Sequence, residues 1–104
     1  MKIKKFLLED SSCPFDESLN KVKDGLAKAR ILARLRRLEQ GNRGDFKHLE
    51  RNLYELRIDV GKGWRVYYQQ KGNELVLLYL TGNKATQTKD IAKVKEWIDE
   101  YDRI

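Results

Sequence analysis

The chain has 104 residues, with 22 Lys and Arg against 16 Asp and Glu, a formal net charge of +6 and a pI of about 9.5. With 40% hydrophobic residues, one domain over 1–104 with its own core is expected, and a disordered chain is excluded. The single cysteine, Cys13, excludes an internal disulfide, and no apolar run approaches the roughly 20 residues of a membrane span.

A basic excess on so short a chain points to an acidic partner, either nucleic acid or an acidic protein. The apolar run near Met1 lacks a small-residue cleavage site, so no signal peptide is expected. A reducing, cytoplasmic setting fits the lone thiol. Cys13 sits in a polar turn beside Pro14, far in sequence from His48, the only histidine, and is not read as a nucleophile.

Lys2 to Glu9 reads as a first strand. A turn follows, with Ser12 as a candidate helix cap and Pro14 suited to a first helical turn. Phe15, Leu19, Val22 and Leu26 recur at helical spacing, and Gly25 breaks the run into two helices or a kink. In the second helix Ile31, Leu35 and Leu38 form an apolar stripe widened by Leu32. Arg30, Arg34 and Arg37 form a second stripe, with Arg36 nearby, read as a solvated face or a contact for RNA, ribosome or antitoxin. Gly41-Asn42 stops the helix through a left-handed residue.

Phe46 to Leu49 reads as a short strand or an extended approach. Leu53 to Val60 alternates, with Tyr54, Leu56, Ile58 and Val60 against Glu55, Arg57 and Asp59, as in a half-buried strand. Gly61-Lys62-Gly63 is a hairpin turn. Next, Trp64, Val66 and Tyr68 oppose Arg65, Tyr67 and Gln69. After a turn at Gly72-Asn73, Leu75 to Leu80 is apolar on both faces, as in a covered central strand, and Thr81-Gly82-Asn83 ends it. From about Gln87 a helix is expected, with Ile91, Val94, Ile98 and Tyr101 on one face and Asp90 suiting its dipole. The fold class is therefore α+β, β-α-α-β-β-β-α, with a mainly antiparallel sheet packed against two helices and a C-terminal helix.

Arg57 and Arg65 flank the hairpin turn on the polar side of adjacent strands. Glu55 and Tyr67 point the same way, and Lys84 lies in the loop leaving the third strand. Two guanidiniums, an ammonium, a phenol and a carboxylate could converge on one concave surface. Guanidiniums bind phosphate oxygens bidentately and stay charged. RNA supplies its own nucleophile, the 2′-OH, so proton transfer and cations suffice. No metal-ligand set and no cofactor motif is present in the sequence. Against this, charged residues on a strand's outer face are commonly just sheet surface. His48 reads as a surface or edge residue with no orienting partner. Trp64, Tyr68 and Trp97 read as core.

Four segments resemble one family in order. Arg34-Leu35-Arg36-Arg37-Leu38-Glu39-Gln40-Gly41-Asn42-Arg43-Gly44-Asp45 resembles the helix end and loop of the HigB-like "addiction module killer" branch of the RelE/ParE superfamily. Tyr54-Glu55-Leu56-Arg57-Ile58 is similar to its E-L-R-I strand, and Gly61-Lys62-Gly63-Trp64-Arg65-Val66-Tyr67-Tyr68 to its hairpin. Gly82-Asn83-Lys84-Ala85-Thr86-Gln87 with Asp90-Ile91 is similar to its following segment. The resemblance runs from about Pro14 to Ile91.

It implies a RelE-like fold and a type II toxin silenced by a HigA-like helix-turn-helix antitoxin encoded beside it. It also implies a metal-independent endoribonuclease acting on ribosome-bound mRNA. Arg57 and Arg65 would bind phosphate, Lys84 would be a nearby cation, and Gln87 belongs to the same motif without an assigned role. Ser18 stands where many relatives carry Trp, and Lys62 where Pro is common. No histidine lies near the C-terminal segment, so proton transfer falls to Glu55, Lys84 or Tyr67. Two other readings stay open: a ParE-like poison of DNA gyrase, and an inactive module that only binds its antitoxin.

Overall fold

The computed structural model describes residues 1–102, with side chains described through 100. Its order is β1 (Lys2–Lys5), α1 (Pro14–Asn20), α2 (Gly25–Glu39), β2 (Phe46–Glu50), β3 (Leu53–Ile58), β4 (Trp64–Lys71) and β5 (Leu75–Asn83). A 3₁₀ turn (Lys84–Thr86) then leads into α3 (Gln87–Asp102). The α+β expectation holds, and Phe46–Glu50 is a full strand. The strand order is β1-β5-β4-β3-β2. Among the described residues only the β1–β5 pair is parallel. Among the described residues no helix is long and apolar enough to cross a membrane.

Alternation in β3 and β4 divides the interior into two cores, one on each face of the sheet. Leu56, Ile58, Trp64, Val66, Tyr68, Val76 and Leu78 pack under Phe15 of α1 and Ile31, Leu35 and Leu38 of α2. On the opposite face Leu53, Tyr67 and Tyr79 pack with Phe6 and with Val94 of α3, joined by Ile91, Trp97 and Ile98. Leu75–Asn83 is thus covered on both faces, as its unbroken apolar character implied. Tyr101, expected on the same α3 face, lies outside the residues whose side chains are described.

Several local expectations change. The strand at the N-terminus stops at Lys5, although Phe6 N–H still bonds to the Leu78 carbonyl at 2.8 Å. Ser12 does not cap α1: Cys13 occupies the cap position without a side-chain bond, and Ser12 bonds to Asp10. Asp24 caps α2 instead, accepting from Leu26 and Ala27 at 3.0 and 3.2 Å. Leu26 is 58% exposed, because the Phe15-to-Leu26 series spans two helices and loses its phase between Asn20 and Gly25. Leu32 is exposed too. At the end of α2, Gly41 takes φ +90°, and Gly41 and Asn42 donate to the Leu38 and Arg37 carbonyls, a closed left-handed stop. β5 runs on through Asn83, since Gly82 and Asn83 still pair with Arg65 and Trp64.

The arginine stripe of α2 divides by role. Arg34 turns inward and donates to three carbonyls, those of Arg57 (2.6 Å), Arg43 (3.0 Å) and Asp45 (2.9 Å). Partial burial lowers its pKa from the ordinary value, yet a guanidinium remains charged. The loop closes on it so tightly that a Cβ on Gly44 would lie 2.6 Å from Arg34 Nη2, at a backbone φ of +62°. Arg30 and Arg37 stay exposed and line a groove with Arg57. Arg36 lies apart, on the side of α2 near Ile3 and Phe15.

Charge-assisted bonds of this kind contribute about 1.5–3 kcal/mol. Arg34→Ala should therefore lower the unfolding free energy by about 2–3 kcal/mol, whereas Arg30→Ala and Arg37→Ala should stay within ~0.5 kcal/mol, as exposed substitutions do. Urea denaturation of the three variants checks this, and equal midpoints would assign Arg34 to the solvated face.

Candidate phosphate-binding site

The register sets the site. Glu55 pairs with Tyr67 and Arg57 with Arg65 across β3 and β4, and Arg65 pairs with Gly82 of β5. All four side chains share the face that α3 covers, so the convergence expected from alternation is present. Its exposure differs from expectation. Glu55 and Tyr67 are fully buried, the Arg65 side chain is 12% exposed and the Arg57 side chain 35% exposed. The strand is covered on both faces rather than half-buried, because the start of α3 folds across its polar side.

Glu55 is the centre of the cluster. Arg57 Nε donates to its Oε1 at 2.9 Å, Arg65 Nε lies 3.7 Å from the same oxygen, and Gln87 Nε2 donates to Oε2 at 2.7 Å. The bond to Glu55 raises the Arg57 pKa above its already high value. Arg57 thus turns its Nε edge onto the carboxylate, while the buried Arg65 Nε lies at ion-pair distance from it without a hydrogen bond. Among the described residues, the Nη groups of Arg57 form no ion pair or hydrogen bond, and Arg65 Nη1 makes one long bond to the Trp64 carbonyl, 3.4 Å.

Tyr67 lies beneath. Burial first, then the charges of Glu55 and Asp90, push its pKa well above the ordinary phenol value. Such a phenol stays protonated at neutral pH and does not act as a base. Burial likewise pushes Tyr68, on the other face, up to about 12. The picture of Glu55 and Tyr67 lining an open concave surface is therefore corrected: they form its floor.

The turn after β5 carries the remaining pieces. Asn83 Oδ1 accepts from the Ala85 and Thr86 amides, and Thr86 donates to Asp90 Oδ2 at 2.6 Å. This capped turn leaves Lys84 exposed and places Gln87 at the start of α3. A Cβ on Gly63 would lie 3.4 Å from Arg65 Nη1 and 3.6 Å from Lys84 Cβ, so Arg65 and the base of the Lys84 side chain both flank this hairpin glycine. A Cβ on Gly82 would lie 1.9 Å from Asp90 Oδ2, so a side chain there would push the Asp90 carboxylate out of its present place beside Thr86.

Arg57, Arg65, Lys84, Glu55, Tyr67 and Gln87 are therefore brought together. Arg30 and Arg37 line a groove between α2 and the end of β3 that Arg57 also borders, but they stand on the α2 side of the sheet and not with the cluster, while Arg36 lies apart and Arg34 acts as a brace. Asp90 and Thr86 escaped sequence reasoning as site residues, although the Gly82-to-Asp90 spacing held the signal. Also missed was the ring cluster around His48, which does have an orienting partner, the Arg51 carbonyl. Among the described residues no three His, Cys, Asp or Glu side chains are grouped to hold a metal ion.

Chemically, the arrangement presents two forked cations and an ammonium at the rim, held by a buried anion. That suits binding and charge stabilisation at a phosphodiester. Glu55→Gln should cost about 3 kcal/mol, the lower end for stripping buried charge of its partner, since Arg57 can turn toward water. Equilibrium denaturation measures this, and an unchanged midpoint would mean the carboxylate does not hold the pair.

Residues 17–100 match the family described as "Phage derived protein Gp49-like (DUF891)". An uncharacterized protein of Haemophilus influenzae (strain ATCC 51907 / DSM 11121 / KW20 / Rd) is 48% identical over 81 residues, covering 78% of this chain and 82% of the relative. No solved structure matches. The match spans α1 to α3 and thus the whole cationic cluster: the chain belongs to the Gp49-like phage-derived protein family, a toxin-like family of addiction modules.

Proposed function

We propose that the protein is the toxin of a type II toxin–antitoxin pair, of the HigB-like branch, and that it cuts ribosome-bound mRNA in the cytoplasm. One observation carries the reading: two arginines on adjacent strands are turned by one buried carboxylate toward a rim that also holds Lys84. A protein that only bound an antitoxin would have no need to bury Glu55 in order to aim two guanidiniums.

In this reading the 2′-OH of one nucleotide attacks the neighbouring phosphorus. The P–O5′ bond breaks, leaving a 2′,3′-cyclic phosphate and a 5′-OH. Arg57 and Arg65 hold the non-bridging oxygens as charge builds on them. Lys84, the exposed cation, hands a proton to the departing 5′-oxygen, and the 2′-OH proton passes to solvent. Glu55 is a positioning residue for both arginines, and Gln87 holds Glu55 from α3. Tyr67 packs beneath them as a neutral ring. The antitoxin, a helix-turn-helix protein, is drawn to the basic surface, including Arg30 and Arg37 on the α2 side.

Induction in cells tests the reading. Wild type should stop amino-acid incorporation at once without inducing the SOS response. Arg57→Ala should lose about 10²–10³ in cleavage rate, as when one charge-stabilising donor is removed, and should relieve the arrest with a lowered melting temperature, because it takes the 2.9 Å partner from the buried Glu55. Arg65→Ala should relieve it too, again with a lower melting temperature, since Arg65 is largely buried. Filamentation with SOS induction and continued protein synthesis would instead support gyrase poisoning.

A further inference from the structure

A second surface lies at the β2 edge of the sheet, on the face opposite Glu55. There Phe46, 38% exposed, and His48, also exposed, lie beside the half-buried Tyr54. The ring centroids are 6.0 Å apart for Phe46–Tyr54 and 5.0 Å for His48–Tyr54. Tyr54 in turn stacks on the buried Tyr68 at 5.6 Å and 18°. The Arg43 guanidinium sits over both Phe46 and Tyr54, 5.0 and 4.9 Å from their centroids.

These groups are held, not floppy. Arg34 grips the Arg43 carbonyl, Asn42 Oδ1 accepts from the Gly44 amide, and His48 is tied to the Arg51 carbonyl. Tyr68 anchors the stack in the core. Among the described residues Arg43 has no carboxylate within ion-pair distance, and Glu50, at the end of β2, is engaged by Lys95 of α3 at 2.7 Å. The patch is therefore aromatic and positive. Rigid rings under an unneutralised guanidinium are what an unpaired base stacks upon, and the charge draws its phosphates.

The geometry points to the exposed Phe46 and His48 rings and the Arg43 guanidinium plane, backed by Tyr54, as a stacking platform for an unpaired nucleobase of single-stranded RNA. The platform extends the reading of an RNA-cutting toxin by giving the chain a grip on its message away from the cationic cluster. The two are braced together, because Arg34 bonds both the loop carrying Arg43 and the strand carrying Arg57.

Binding tests it without relying on cleavage. A short oligoadenylate and the same-length RNA with every base removed are titrated against wild type, Phe46→Ala/His48→Ala and Phe46→Trp. Wild type should prefer the base-bearing strand by roughly tenfold or more, in line with stacking on one or two rings. The double variant should lose that preference while circular dichroism stays unchanged, and Phe46→Trp, which keeps a ring, should retain it. Equal affinity of wild type for the two strands, or full preference in the folded double variant, overturns the platform. So does a double variant that binds RNA normally and loses only its antitoxin, which would make the patch a protein contact. Base-dependent binding with no cleavage on a gel would sink the nuclease reading and leave the platform standing.

Discussion

A buried carboxylate has to be neutralised, and the site is organised around that requirement. Glu55 is fully buried on β3, where an unpaired charge would cost several kcal/mol. Arg57 comes from the same strand, Arg65 from β4 and Gln87 from the first turn of α3. Glu55 therefore holds the hairpin register and the entry angle of α3 together. The same contact that satisfies the fold turns two guanidiniums edge-on to the protein, leaving their outer amines for a ligand.

Dense packing around the cluster keeps it in place. Gly82 lets Asp90 approach β5, Thr86 holds Asp90, and Asn83 caps the turn between them. Moving α3 would release Gln87 from Glu55 and with it the arginine pair. Whatever binds on this surface, RNA or antitoxin, meets groups already oriented, which lowers the ordering cost of binding.

Much of this was legible in the sequence. Strict alternation over Tyr54–Ile58 and Trp64–Gln69 is enough to put Glu55, Arg57, Arg65 and Tyr67 on one face, and the glycine turn is enough to pair them. The Ile31, Leu35, Leu38 spacing likewise identified the buried face of α2. Exposure was not legible. A period of two says which residues share a face, not whether a distant helix covers it, so Glu55 reads as solvated although α3 covers it. Arg34 failed for the same reason: its spacing matches Arg30 and Arg37, but its partners are backbone carbonyls of a loop and a strand, which leave no trace in the sequence. His48 reads as isolated in the sequence because Tyr54 meets it only through the cross-strand register.

The chemistry of the cut ends tests the central claim most directly. Purified wild-type protein is mixed with programmed ribosomes, with EDTA added to a matched portion under conditions where the ribosomes stay intact, and both RNA ends are mapped. Attack by the 2′-OH beside Arg57 and Arg65 predicts 2′,3′-cyclic phosphates and 5′-hydroxyls, with cleavage persisting in EDTA. Fragments bearing 5′-phosphates, or cleavage abolished by the chelator while the ribosomes stay intact, would contradict the account.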